Sequence, residues 1–440
     1  MENLKTVAFM TLGCKVNSYE TDGLVKLFKQ NGFRVVRFNE VSDIYVVNTC
    51  TVTNLSSRKS RQMLRKSKRK NLNSIVVAVG CYSQQEPEKL MQMDEVDIVI
   101  GNNNKMQILE YIKEYNGDNK KYIIDISKEK YVEDIMINKT LDKTRAFIRI
   151  QDGCDQFCSY CIIPYVRGRI RSKKIEDILS EIRDLRDNNY KEIVFTGIHI
   201  ASYGMDLEDD IGLIDLLEQA NKIDGIKRLR LGSMEPTYLS RENIIRFSKI
   251  NKLANHFHLS LQSGSDTVLK RMNRKYLTKE YLKVVQLLRE HFISPAITTD
   301  IIVAFPGETE EEFNETCEFV KKVRFSQVHV FKYSAREGTK AATMNNQIHG
   351  NIGSARSKKL IEIVSDIENE YQISQVNITH FVLFETFNSD LKICSGLTDN
   401  YLKVFVNSEI DLTNEYLEVD LEAVVNGKIF GRIKGEKKNE

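Results

Sequence analysis

Three cysteines within eight residues, Cys154, Cys158 and Cys161 in QDGCDQFCSYC, constrain this chain more than any other feature. They follow the apolar run 147–150, which places them in a loop at the end of a short strand. Three thiolates so close in sequence can converge on one metal centre. Three rather than four leave one iron of a [4Fe–4S] cube open to a further ligand. A structural zinc loop is the alternative, although no fourth Cys or His follows nearby.

Apolar runs at 7–10, 44–47, 75–79 and 98–100 alternate with helix-length segments such as 18–30, 56–70 and 87–93. This alternation predicts a parallel sheet covered by helices. Residues 111–143 are polar and irregular, with a short strand expected at 122–126. A second series has apolar runs at 147–150, 193–196, 229–231, 257–261, 297–304 and 328–333. Helical segments at 175–186, 281–289 and 311–323 lie between them, and a helix over 354–371 closes the unit. Six strands alternating with helices predict a full or partial α/β barrel. The last seventy residues read as strands at 381–384, 402–406, 417–425 and 429–434, with turns at 388–390 and Asn426-Gly427, a small all-β barrel. The expected divisions are 1–115, a linker over 116–140, 141–371 and 372–440.

Cys14, Cys50 and Cys81 each trail one of the first strands. Strand C-termini of a parallel sheet share one edge, so these three can meet there and form a second cluster site. Three independent buried thiols are the plainer reading. Cys317 and Cys394 have no partners at ligand spacing. With eight cysteines in a long chain that shows no signal-peptide pattern, thiols rather than disulfides are expected. No apolar run approaches the ~20 residues of a membrane span, so a cytosolic protein with no membrane partner is expected.

The cysteine spacing, with Tyr160 ahead of Cys161, resembles the radical S-adenosylmethionine superfamily. Together with the N-terminal cysteines and the C-terminal β unit, almost the whole chain resembles the methylthiotransferases within it. TLGCKVNSYE (11–20), NTCTVT (48–53) and VGCYSQ (79–84) most resemble the bacterial branch acting on threonylcarbamoyladenosine beside the anticodon. The resemblance implies a Rossmann-like N-terminal sheet, a barrel of the radical S-adenosylmethionine type and a C-terminal TRAM barrel. It implies two [4Fe–4S] clusters. One, on Cys154, Cys158 and Cys161, chelates S-adenosylmethionine; the auxiliary one sits on Cys14, Cys50 and Cys81. The implied reaction puts a methylthio group on adenine C2, with S-adenosylmethionine as methyl donor and radical source. Implied partners are a tRNA anticodon stem-loop, a sulfur donor and an electron donor such as flavodoxin or ferredoxin.

FTGIHIASYG, LRLGSMEP, HLSLQSGSD, TTDIIVAFPGET and VFKYSAREGT also match the family. By that resemblance Thr196, Gly197, Ser233, Glu235, Ser260, Gln262 and Asp300 line the cofactor or substrate site. Ordinary turn and capping chemistry is the alternative for such residues. Two residues depart from the pattern: Ala304 stands where Gly is usual, and Asp155 where Asn is commoner. A threonylcarbamoyl carboxylate calls for a cation, with Arg336 or an arginine of segment 167–171 as candidates.

The net charge of +3 indicates no nucleic-acid partner by itself. Segment 58–70, RKSRQMLRKSKRK, holds eight Lys or Arg and no acid. Arg58, Arg61, Arg65 and Arg69 share one helical face, suited to RNA phosphates or simply to solvent. The C-terminal seventy residues carry seven basic and eleven acidic side chains, so RNA contact there falls to local residues such as Asn400, Tyr401, Lys403 or Arg432. The competing readings are the same chemistry on isopentenyladenosine or a ribosomal protein, and a non-catalytic iron–sulfur carrier.

Overall fold

The computed structural model describes residues 6–141, 144–209 and 211–435. Its N-terminal part runs β1 (Thr6–Thr11), α1 (Lys15–Gln30), β2 (Arg34–Val36), β3 (Ile44–Thr49), α2 (Asn54–Lys70), β4 (Ile75–Gly80), α3 (Cys81–Gln85), α4 (Pro87–Met91), β5 (Ile98–Ile100), α5 (Ile108–Lys113) and β6 (Lys120–Tyr122). The strands form one parallel sheet in the order β2-β1-β3-β4-β5-β6. Val-rich β3 and β4 are buried on both faces, as central parallel strands must be. The order reverses between β1 and β3, and in such sheets the crevice beyond that switch point is where ligands bind.

The expected strand at 122–126 lies instead at Lys120–Tyr122 and pairs with β5. Part of the expected linker thus belongs to the sheet, and Ile126, Ile135 and Ile137 of the same stretch are buried. The polar composition hid this, because an edge strand needs few apolar side chains. Residues 142 and 143 of that stretch lie outside the described residues.

The middle part runs β7 (Arg145–Arg149), β8 (Gln151–Asp152), α6 (Ile163–Arg167), β9 (Arg171–Ser172), α7 (Ile175–Asp187), β10 (Glu192–Thr196), α8 (Leu213–Asn221), β11 (Arg228–Leu231), α9 (Arg241–Ser248), β12 (His256–His258), α10 (Asp266–Arg271), α11 (Thr278–His291), β13 (Ala296–Val303), α12 (Glu310–Val323), β14 (Gln327–Lys332) and α13 (Gly350–Ser374). Two parallel sheets, β7-β10-β11 and β12-β13-β14, join through the bridges Leu229–Leu253 and Met234–Leu259. The result is a six-stranded half barrel. Its outward residues, such as Ile148, Ile193, Phe195, Leu229, Phe257 and Ile301, pack with the surrounding helices into the largest core of the chain. The inward face is largely polar, with Phe147 and Val194 among its apolar members. Register sets Glu192 between Arg145 and Arg228, and Asp300 opposite His329.

The C-terminal strands β15 (Thr379–Asn388), β16 (Ile393–Thr398), β17 (Lys403–Asn407), β18 (Tyr416–Val425) and β19 (Lys428–Ile433) close a barrel in the order β15-β16-β17-β19-β18. The sequence reading missed β16. Gly396 breaks its apolar pattern because a Cβ there would stand 2.3 Å from the Leu383 carbonyl oxygen of the paired strand. Cys394 is buried in this barrel, and Cys317 in the core under α12.

This small barrel caps the N-terminal ends of the half-barrel strands. Arg228 donates to the carbonyls of Leu397 (3.0 Å) and Phe381 (2.7 Å), and Arg230 to those of Thr398 and Asp399, both at 2.9 Å. The Tyr401 ring stacks on His256 at 4.6 Å, with the Arg230 guanidinium 4.8 Å from its centroid. Asn400 is buried and bonded to Tyr371 and Gln375. Asn400 and Tyr401, offered as RNA contacts, are therefore packing residues of the interface between the two barrels. Arg432 is bonded to Glu422 at 3.0 Å. Lys403 remains exposed, over Phe405.

A candidate site with two cysteine centres

Cys154, Cys158 and Cys161 lie in the loop between β8 and α6. The two-residue pairing of β8 with β9 pins together the ends of the segment that holds this loop and α6. Gly153 makes the turn possible: its φ is +72°, and a Cβ would stand 1.8 Å from the Arg169 carbonyl oxygen. Gln151 ties the loop to the end of β10. Its amide donates to the carbonyls of Asp152 and Gly153 at 2.7 Å each, and accepts from His199 N–H at 2.8 Å. Gly197 leaves room for that amide, since a Cβ there would meet it at 3.0 Å.

The sulfurs have donors around them. The Gln156 amide N–H points at Cys154 Sγ (3.4 Å), and Arg274 Nη1 at Cys158 Sγ (3.3 Å). Arg274 also grips both oxygens of Glu235, at 2.7 and 2.8 Å. Burial pushes Cys154 up to about 11 and Cys161 to about 12, and the neighbouring Cys158 adds to both. Buried thiols of this kind ionise when a metal supplies the compensating charge. Among the described residues no three Cys, His, Asp or Glu side chains are placed to hold a single metal ion.

The strand ends place the other expected residues around this loop. Thr196 ends β10, Ser233 follows β11, and Ser260 and Gln262 follow β12; Asp300 lies on the inner face of β13. A cleft of about 260 Å³ is lined by Cys161, Tyr160, Gln262, Asp300, Phe331 and, across it, Val52 and Thr53. Thr196 is buried, and Ser233 is exposed, outside this cleft. Glu235 is neutralised by Arg274 rather than open to a ligand. Ala304 has φ +59°, the left-handed conformation that explains why Gly suits this position. Asp155 pairs with Arg169 at 3.4 Å.

Cys14, Cys50 and Cys81 meet at the switch point of the parallel sheet. Cys14 caps α1, Cys50 follows β3, and Cys81 opens α3. Gly13, at φ +104°, touches Cys50 so closely that a Cβ would stand 3.0 Å from its Sγ. Cys14 is exposed, whereas Cys81 is buried and is raised by that burial to about 11. Asn102 Nδ2 (3.7 Å) and Arg167 Nε (3.2 Å) donate to Cys81 Sγ.

Arg167 comes from α6, the helix that leads away from Cys161. Five helical residues rise only about 7 Å, so α6 links one cysteine centre to the other. The fully buried guanidinium also bonds Glu20 (2.9 Å), Asp152 (3.0 Å) and Asn17 (2.7 Å). Burial pushes Glu20 up, but Arg167, Lys105 and Arg149 outweigh it and hold the carboxyl well below the usual range. None of Glu20, Lys105, Gln151 or Arg274 was singled out from sequence. Glu20 lies within TLGCKVNSYE and Gln151 opens QDGCDQFCSYC; Lys105 and Arg274 carry no local signal.

The candidate cations for a substrate carboxylate are otherwise engaged. Arg167 and Arg171 face Asp152, and Arg169 faces Asp155. Arg336 is only 4% exposed. It bonds Thr51, Asn54, Ser57 and Gln85, tying the half barrel to the loop after Cys50. On α2, Arg61 lies along Tyr82 (2.6 Å to its hydroxyl) and Arg65 beside Glu95. Arg58 and Arg69 are exposed.

Residues 6–101 match a family described as "Uncharacterized protein family UPF0004", and residues 148–320 the radical SAM superfamily. The chain is 39% identical to the threonylcarbamoyladenosine tRNA methylthiotransferase MtaB of Bacillus subtilis, over 95% of this chain and 94% of that one. It is 38% identical to the tRNA-2-methylthio-N(6)-dimethylallyladenosine synthase of Clostridium tetani, over 90% of each. A solved radical S-adenosylmethionine methyltransferase, TsrM from Kitasatospora setae, shares the fold with TM-score 0.58 at 13% identity, over 77% of each chain. The half barrel with its three-cysteine loop, and identity of this order along nearly the whole length, lead to one conclusion: the chain belongs to the radical S-adenosylmethionine methylthiotransferases.

Proposed function

We propose that this chain transfers a methylthio group to C2 of N6-threonylcarbamoyladenosine, 3′ of a tRNA anticodon. Cys154, Cys158 and Cys161 would hold the [4Fe–4S] cluster that binds S-adenosylmethionine, and Cys14, Cys50 and Cys81 a second one. Bound there, these groups supply the radical and the sulfur that the new carbon–sulfur bond requires. The protein's part is position. Arg274 and the Gln156 amide direct N–H groups at the sulfurs of Cys158 and Cys154, Gln151 fixes the loop, and Gln262 and Asp300 face the cleft. Thr196, Gly197, Ser233, Glu235 and Ser260 shape the strand ends around it. The apolar cleft walls suit a purine.

The observation that carries the substrate is the polar inner face of the half barrel, with Arg145, Glu192, Arg230, His258, Thr298 and Asp300. A dimethylallyl group has no atom that can hydrogen-bond to this face. A threonylcarbamoyl group offers it a hydroxyl, amides and a carboxylate. Exposed bases on α2 would hold the anticodon stem-loop by its phosphates. A sulfur donor and an electron donor such as flavodoxin or ferredoxin complete the cycle, in the cytoplasm where tRNA is modified. The test offers reconstituted enzyme two stem-loops, one with threonylcarbamoyladenosine and one with isopentenyladenosine, and reads the nucleosides by mass spectrometry. Methylthiolation of the first is expected. Methylthiolation of the second alone would overturn the substrate assignment, and of neither, the reaction.

A further inference from the structure

Among the described residues, most cations around the two cysteine centres are paired with acids or sealed. Arg149, Arg167 and Lys105 face Glu20; Lys173 faces Glu181; Arg274 faces Glu235; Arg145, Arg228 and Arg230 face Glu192. Arg336 is sealed among neutral oxygens. Lys332, on the cleft rim, points outward and bonds Ser354 of α13 at 3.1 Å.

Lys15 differs. It follows Cys14 directly, in the first turn of α1, the helix that covers the open side of the half barrel against β7. Its ammonium stands 5.9 Å from the centroid of Phe147, an inward residue of β7. The charges that act on it are Arg145, Arg230 and Glu192 of the inner wall and Tyr401 of the small barrel. Lys15 is half-buried, and no ion pair or hydrogen bond to its ammonium is found among the described residues. A lysine ammonium on the wall of a polar chamber, without an acid in contact, is equipped to take an anion from outside.

We propose that Lys15 is the cation that pairs with the carboxylate of the substrate's N6 substituent, which makes the half-barrel interior the specificity pocket. This rests on the threonylcarbamoyl reading above. A base held at the cleft, between Cys161 and the loop after Cys50, has the interior directly beneath Asp300. A substituent reaching down from it meets Thr298 and His258 on one wall and Lys15 on the other. An uncharged substituent would leave the ammonium unpaired and be rejected for that reason.

The experiment compares stem-loops carrying threonylcarbamoyladenosine with stem-loops carrying its carboxamide, equal in size but uncharged. Wild-type enzyme is expected to favour the carboxylate in kcat/KM by roughly ten- to a hundredfold, the value of one charge-assisted hydrogen bond. Lys15→Met and Lys15→Gln should bring that ratio to about one, and Lys15→Arg should retain most of it. Either neutral variant keeping the full preference would overturn the role of Lys15, as would a wild type that does not distinguish the two RNAs. If the neutral variants do not fold, the ratios of wild type and Lys15→Arg on the two RNAs still decide. A wild type that modifies only isopentenyl RNA would instead overturn the proposed function, so the two failures are distinct.

Discussion

Arg167 Nε stands 3.2 Å from Cys81 Sγ, so a guanidinium from the half barrel is buried inside the cysteine site of the N-terminal sheet. It bonds Glu20 and Asn17 of one part and Asp152 of the other. One side chain therefore bridges the two centres. Arg167→Met should destabilise the protein by about 3 kcal/mol, because it leaves Glu20 and Asp152 buried with less compensation. Lys105 and Arg149 keep the loss at the low end of what such networks show. Denaturant unfolding measures it, and an unchanged midpoint would refute the account.

The division of labour between the centres predicts two different losses. Reconstituted wild type should carry about eight irons, and Cys158→Ala or Cys50→Ala about four. Cys158→Ala should abolish reductive cleavage of S-adenosylmethionine. Cys50→Ala should leave cleavage measurable and abolish methylthiolation. Product formation by Cys50→Ala at the wild-type rate would remove the auxiliary role.

Glu192 predicts acid sensitivity at the joint between the two barrels. Burial pushes its carboxyl up, but Arg230, Arg228 and Arg145 outweigh this and bring it from its ordinary 4.5 down to about 2. A depressed folded value gives stability that is complete above the unfolded value and lost as pH falls toward the folded one. The loss should run from about pH 5 to about 2 and amount to about 3 kcal/mol. Glu192→Gln should flatten that part of the stability profile; an unaltered profile would contradict the assignment.

RNA affinity should depend on Arg58 and Arg69 more than on Arg61 and Arg65, which already lie against Tyr82 and Glu95. Replacing Arg58 and Arg69 together with Gln should lower the log–log salt slope of stem-loop binding by about one unit per lost phosphate contact. An identical slope would mean that this face of α2 meets only solvent.

Ala304→Gly should stabilise the chain by about 0.5–1 kcal/mol. The left-handed φ of +59° costs Ala about 1–2 kcal/mol, offset in part by the greater unfolded-state freedom of Gly. Thermal unfolding would show the gain, and a lower melting temperature would disprove it.

The alternation of apolar runs and amphipathic segments determined the three-part architecture, because buried parallel strands and core-facing helices leave periodic marks in sequence. The spacing of Cys154, Cys158 and Cys161 determined the superfamily, since a single loop must bring all three sulfurs together. Cys14, Cys50 and Cys81 were legible for a similar reason: each follows a strand, and parallel strands end on one edge. Five strands were missed or misplaced: β2, β8 and β9, of two or three residues each, are too short to leave an apolar run. β6 is a polar edge strand, and β16 is broken by Gly396 at a close approach.

What surrounds the sulfurs was decided only by the tertiary structure. Arg274 and Glu20 act through partners tens to more than a hundred residues away, and no local pattern records such pairings. Arg336 and Arg167 are identical side chains in sequence. Burial against neutral oxygens makes one a tie between domains, and contact with Glu20 and Asp152 makes the other the link between centres. The role proposed for Lys15 likewise arises because α1 closes the open side of the half barrel. A charge acquires meaning from the acids that do or do not face it, and that is set by packing.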